Sequence, residues 1–251
     1  MKLHRSTFRC IEMLELVANH PDGITLTEIS KIMDIPKSSA YDISGTLLAL
    51  GMFEETITEV KKYKIGIKAF KIGNKYVKSN NLVAVAEPYL IELAERFNKT
   101  VYIGKMNKTC FVYTFKYEPK NNIVNLPNIG VEGPLHATSI GKTLLANYDL
   151  CEEVINDIEF TKFTENTITN PYDLNGELAK IKKLGYGMEI REYHDFLSSV
   201  AAPIYTKNDS IPTAIELSGI YSESQDLELE AKTVKEVADT ISEILNSQVK
   251  A

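Results

Sequence analysis

Cysteine is scarce and scattered: Cys10, Cys110 and Cys151 are the three in 251 residues. No CxxC pair occurs, so neither a disulfide framework nor a thiolate zinc site is expected, and each is read as a small core residue. The four histidines, His4, His20, His136 and His194, have no metal-ligand spacing and form no HExxH. His136 is read as a structural histidine, because nothing in the sequence places it beside Cys110 or Cys151 as a base beside a nucleophile. No stretch approaches the roughly 18 uninterrupted apolar residues of a membrane span, and MKLHRSTFRC lacks the apolar run of a signal peptide. A cytoplasmic protein with no membrane partner and no cofactor is expected. Gly141-Lys142-Thr143 resembles the end of a phosphate-binding loop, but that motif needs Gly five residues earlier, where the chain has His136.

What is present is enough apolar residues, 44%, for two cores. The net charge of -6 divides unevenly along the chain. Residues 1–80 hold 12 Lys+Arg and 9 Asp+Glu, giving +3; residues 81–251 hold 16 and 25, giving -9. Lysines 61, 62, 64, 68, 71, 75 and 78 follow one another with no acid between Lys61 and Lys78. A local cationic patch of this kind neutralises phosphates whatever the overall charge.

Phe8, Ile11, Leu14 and Val17 recur every three residues, predicting an amphipathic helix over 6–19 that ends before Pro21-Asp22-Gly23. Thr25 and Glu28 fit a capping box for a short helix ending near Met33. Asp34 suits a tight turn, and Pro36 opens a third helix, to Leu50, whose Ala40, Ile43, Leu47 and Leu50 are expected on one face. Lys37, Ser38, Ser39, Tyr41 and Ser44 then lie away from that face, as short polar groups suited to a major groove. After Gly51, the β-prone runs Met52–Ile57 and Val60–Ile65 flank Thr58-Glu59 and predict a hairpin. Helix, short helix, turn, helix, hairpin is the order of a winged helix-turn-helix. Its expected DNA contacts are Thr25, Thr27, Lys37, Ser38, Ser39, Tyr41, Asp42, Ser44, Lys61 and Lys62.

Beyond residue 80 the pattern is mixed. A helix is expected over 82–97, a hairpin over 101–106 and 109–115, and helices at Thr138–Asn147 and Asp173–Leu184. Strands near 186–191, 200–206 and 211–219 and a helix over Ser224–Leu245 complete an α/β domain. The helix N-terminus at 138 is the best ligand candidate, because unpaired backbone N–H groups attract carboxylates.

The string TLTEISKIMDIPKSSAYDISGTLLALGMFEE, followed by YKIGIKAFKIG, resembles the DNA-binding domain of the IclR family of bacterial regulators. GPLHATSIGKTLLANY and IKKLGYGMEIREYHDFLSSVAAPIYTKNDSIPTAIELSG resemble segments of that family's effector domain. The resemblance implies an α+β chain: a winged helix-turn-helix over 1–66, a linker helix over 67–80, and a GAF-like α/β effector-binding domain over 81–251. It implies a DNA-binding transcription regulator, more often a repressor, that works as a homodimer or homotetramer on palindromic double-stranded operator DNA and is modulated by a small organic, sugar or aromatic acid. Carried over by position, the effector contacts fall on Ser139, Ile140, Glu189, Leu197 and Ser199. The chain departs from the family at Asp42, where an arginine is common, and at Phe196 and Ser199, where Gly and Cys are common. Asp42 and the acidic second domain motivate a second reading, a GAF-like sensor or enzyme that has lost DNA binding.

Overall fold

The structure is a computed structural model that describes residues 4–56, 60–79, 81–120, 127–207 and 211–248, without the side chains of 77–79 and 248. The expected turn at Thr58-Glu59, Ile57, and the side chains of Val77 and Lys78 lie outside the described residues. The chain divides into two units, residues 1–80 and 81–251.

In the first unit, α1 spans Arg5–Ala18, α2 Leu26–Ile32 and α3 Lys37–Ala49; the strands β1 (Phe53–Glu55) and β2 (Tyr63–Ile65) pair antiparallel, and α4 runs Ile67–Ser79. The start of α2 is set locally. Thr25 N–H donates to Glu28 Oε2 at 2.9 Å while Glu28 N–H donates to Thr25 Oγ1 at 3.3 Å, closing the capping box. Asp34 takes φ 49°, the left-handed turn that lets α3 leave α2. Met13, Val17, Ile24, Ile29, Ala40, Leu47, Phe53 and Tyr63 form the core. Thr25→Ala is expected to lower the stability of this unit by about 1 kcal/mol in urea titration; an unchanged midpoint would mean the helix starts without the box.

Two faces differ from expectation. The buried side of α3 is Ala40, Ser44 and Leu47, whereas Leu50 is 53% exposed. Ser44 is therefore corrected: it is fully buried, its hydroxyl donates to Met13 Sδ at 3.3 Å, and it has no exposure with which to meet DNA. The i, i+4, i+7 row won over the i, i+3 row, since a helical period of 3.6 permits both. On α1 the inward residues are Met13 and Val17, leaving Phe8 and Ile11 about half exposed.

The second unit carries α5 (Asn81–Phe97), β3 (Thr100–Asn107), β4 (Cys110–Tyr117), β5 (Glu132–Pro134), α6 (Ser139–Ala146), α7 (Cys151–Asp157) and α8 (Pro171–Leu184). It ends with β6 (Gly187–Ile190), β7 (Leu197–Ile204), β8 (Thr213–Ile220) and α9 (Leu227–Gln248). Six strands form one antiparallel sheet in the order β5-β4-β3-β8-β7-β6. Pro203 is tolerated in β7 because β6 reaches only as far as Ala201, so β7 is an edge strand there. Helices α5 and α9 cover one face through Leu90, Val101, Ile215, Leu217 and Ala238. Helices α6 and α8 cover the other through Tyr102, Tyr113, Ile140, Leu144 and Leu178. The short β5 and α7 have no counterpart among the predicted elements. The cysteines are half-buried; Cys10 packs against the core of the first unit, as expected, but is not fully enclosed in it.

Candidate effector site and DNA-binding face

The second unit holds a small cavity on the α6 side of the sheet, built by strand alternation. Glu216 and Ser218 share one face of β8, and Leu197 and Ser199 lie on the same face of the neighbouring β7, with Ser199 opposite Ser218 in register. A bulge completes the wall. Ile103 pairs with Phe115 but Gly104 pairs with Tyr113, so Thr114 is the extra residue. That slip turns Tyr113 onto the cavity face while Phe115 stays on the opposite one. Gly104 leaves room for the helix: a Cβ there would lie 2.5 Å from Ile140 Cδ1.

Thr138 caps α6, accepting from Gly141 N–H at 3.0 Å, and the first helical residue, Ser139, enters a buried polar chain. Ser139 Oγ donates to Glu216 Oε1 at 2.8 Å and lies 2.7 Å from Ser199 Oγ. Ser199 Oγ donates to Glu189 Oε2 at 3.2 Å. Tyr113 Oη donates to Glu216 Oε2 at 3.0 Å, and the Glu192 N–H donates to Glu189 Oε1 at 2.6 Å. Burial pushes Glu189 up to about 7, opposed by the N–H groups of Glu192 and Tyr193 and aided by the charges of Glu192 and Glu216. Burial also raises Glu216, against hydrogen bonds from Ser139, Tyr113 and Ser199 and the Ile140 N–H. The cavity, of about 30 Å³, has room for about one water.

Of the sequence-predicted effector residues, Glu189, Leu197 and Ser199 line this cavity, and Ser139 joins it through hydrogen bonds. Ile140 does not line it; its side chain is fully buried against Gly104 under the sheet. Glu216, Ser218, Tyr102 and Tyr113 line it and were missed. One signal for Glu216 was available: a single acid in the otherwise apolar and small-residue strand TAIELSGI.

The segment between β6 and β7 is fastened to α6. Lys142 is fully buried, and its Nζ donates to Glu192 Oε1 at 2.5 Å. Thr164 and Thr167 hydroxyls donate to the Glu192 carbonyl at 3.1 and 2.6 Å. Lys142 thus works as an ion-pair partner, not as part of a phosphate loop. His136 Nε2 donates to the Thr161 carbonyl at 2.9 Å, its Nδ1 is buried without a partner, and burial lowers its pKa.

In the first unit, the outward side of α3 carries Lys37, Ser38, Tyr41 and Asp42, all exposed, with Ser39 half-buried. Tyr41 is 62% exposed. Thr27 is exposed, while the Thr25 hydroxyl is committed to the cap. Lys62 is half-buried, and Lys61 forms an ion pair with Glu55 across the hairpin.

Comparison with known proteins matches both units. The model of the IclR helix-turn-helix domain covers residues 6–55, and that of the bacterial transcriptional regulator IclR C-terminal domain covers residues 74–244. The chain is 29% identical to the HTH-type transcriptional regulator XynR of Escherichia coli over 231 residues, 91% of each chain. It is 27% identical to the transcriptional repressor IclR of the same organism over 228 residues, 88% of this chain and 82% of the relative. An IclR homolog from Microbacterium hydrocarbonoxydans, solved in complex with 4-hydroxybenzoate, shares the fold with a TM-score of 0.81 at 20% identity, covering 96% of this chain and 99% of that one. Among the described residues no helix is long and apolar enough to cross a membrane. With both domain models matched in order and one of them spanning more than half its length, the chain belongs to the IclR family of DNA-binding transcription regulators.

Proposed function

We propose that this chain represses transcription by binding a palindromic operator through α3 and the hairpin, and that a small effector in the cavity beside Glu189 and Glu216 alters that binding. The observation that carries it is a small cavity lined by a buried chain of carboxylates and hydroxyls, in the unit that matches the family's C-terminal domain. Burying two carboxylates is unfavourable, and a merely structural sheet would fill that space with apolar side chains. The repressor IclR of E. coli and the homolog bound to 4-hydroxybenzoate support the same reading. Residues 67–80 act as the linker between a DNA-binding domain over 1–66 and an effector domain over 81–251. Exposed apolar side chains on α1 (Phe8, Ile11) and on α4 (Ile67, Phe70, Ile72) favour a homo-oligomer, which a palindromic site requires. The site of action is the cytoplasm, and the role is regulation, not catalysis.

The effector acts by binding the DNA-competent and incompetent states with different affinity. An electrophoretic mobility shift with the DNA upstream of the gene and its neighbours, at low salt and with a panel of small molecules, tests the reading. A specific shift altered by one compound supports it. No shift at any salt concentration would move the assignment to the GAF-like sensor or enzyme without DNA binding, with Asp42 as the responsible residue.

Replacing Lys61 and Lys62 together by Ala is expected to weaken all DNA sequences alike and to reduce the salt slope by about 2, one phosphate each. Tyr41→Ala is expected to weaken mainly the specific site. Equal losses on specific and random DNA in both variants would undo this division of roles.

A further inference from the structure

The cavity is lined by two carboxyl groups among hydroxyls and one imidazole. Its two carboxylates, Glu189 and Glu216, are linked through Ser199 and Ser139. No lysine or arginine is among the described residues that line it, and burial lowers the pKa of His194 against the charge of Asp195.

The seat that a ligand carboxylate would use is already taken. The backbone N–H of Ile140, at the start of α6, and the hydroxyls of Ser139 and Tyr113 all converge on Glu216. Glu216 therefore fills, from within the chain, the anion site that a helix N-terminus provides. An incoming carboxylate meets Glu189 and Glu216, with no lysine or arginine among the described residues that line the cavity.

A further polar group waits beside the pair. Ser218 is 7% exposed, lines the cavity two residues along β8 from Glu216, and its hydroxyl has no hydrogen-bond partner among the described residues. It offers one more acceptor, or a weak donor, on the Glu216 side.

We propose that the effector of this cavity is a small organic cation, a hydroxyl-bearing primary amine whose N–H and O–H groups donate to Glu189, Glu216 and Ser218. The ammonium replaces the missing counter-charge and its three donors match the two carboxyl groups. This rests on the reading of the cavity as the effector site. The cavity holds about one water as it stands, so a ligand of this size must displace part of its lining.

The test is calorimetric titration of the full-length protein at neutral pH with serinol, glycerol and glycerate, which share a three-carbon skeleton and differ in charge. Serinol is expected to bind at least about tenfold tighter than glycerol, with glycerate weakest. Glu216→Gln and Glu189→Gln each keep the shape and are expected to reduce serinol affinity about tenfold, leaving glycerol nearly unchanged. Should Glu216→Gln fail to fold, Glu189→Gln and the ligand order of the unaltered chain carry the test. Glycerate binding tightest, three equal affinities, or no heat with serinol overturns the proposal. Parallel mobility shifts separate the two readings. Serinol binding that leaves operator affinity unchanged supports the cation site and removes the effector role, whereas release of DNA by glycerate keeps the regulator and overturns the cation.

Discussion

Glu192→Ala is expected to destabilise the second unit by about 3–5 kcal/mol. The reason is what the substitution leaves behind. The Lys142 side chain is 1% exposed in a helix whose every residue is buried, and its ammonium is held by Glu192 Oε1 at 2.5 Å. Burial raises the Glu192 pKa while the Lys142 charge lowers it, so the pair survives by mutual compensation. Without the carboxylate, an unpaired cation remains in an apolar interior, and the surrounding segment must open to hydrate it. The loss also frees the segment after β6, because the Thr164 and Thr167 hydroxyls hold the same residue's carbonyl. In thermal unfolding followed by circular dichroism this corresponds to a fall of roughly 6–20 °C for a unit of this size. Lys142→Met with Glu192→Met is expected to restore most of the stability, since an apolar pair of similar volume avoids desolvation. A Glu192→Ala midpoint within about 1 kcal/mol of the parent, or a double variant no better than the single, would sink the argument.

How much of this could be read from the sequence follows from distance along the chain. The capping box of α2, the turn at Asp34, and the cap and stop of α6 at Thr138 and Asn147 are fixed by residues within a few positions, and the sequence indicated each of them. The facing of α3 was not readable from periodicity alone. Ser44 is polar yet buried, and its Met13 partner lies 31 residues away. The cavity is less local still. Glu216 meets Ser139 across 77 residues and Tyr113 across 103, and Tyr113 faces inward only because Thr114 bulges out of the β3–β4 ladder. Family resemblance supplied Ser139, Glu189, Leu197 and Ser199 because those positions follow the motif. It also supplied Ile140, whose side chain packs under the sheet while its N–H reaches Glu216: neighbours on a helix point about 100° apart.

Glu189 makes the second unit sensitive to alkali. Its folded pKa of about 7 lies above the ordinary carboxylate value of 4.5, so the folded form holds its proton more tightly than the unfolded chain. The resulting stability is fully present below pH 4.5 and is lost as pH rises through 7, a change of about 3 kcal/mol by linkage. Burial of Glu216 acts in the same sense. Glu189→Gln keeps an oxygen to accept from the Glu192 and Tyr193 N–H groups but carries no charge at any pH. The difference in stability between variant and parent, taken from urea midpoints, is therefore expected to shift in favour of the variant by about 3 kcal/mol between pH 4.5 and pH 8. Parallel pH profiles for the two proteins would mean that Glu189 is already ionised at its ordinary pKa, and that the hydrogen bonds outweigh burial. A bound cation changes the same balance, because it favours the ionised carboxylate that burial penalises. With serinol present, the parent's loss of stability above pH 7 is accordingly expected to shrink, and in Glu189→Gln the ligand's stabilisation is expected to depend less on pH, with Glu216 as the remaining carboxyl.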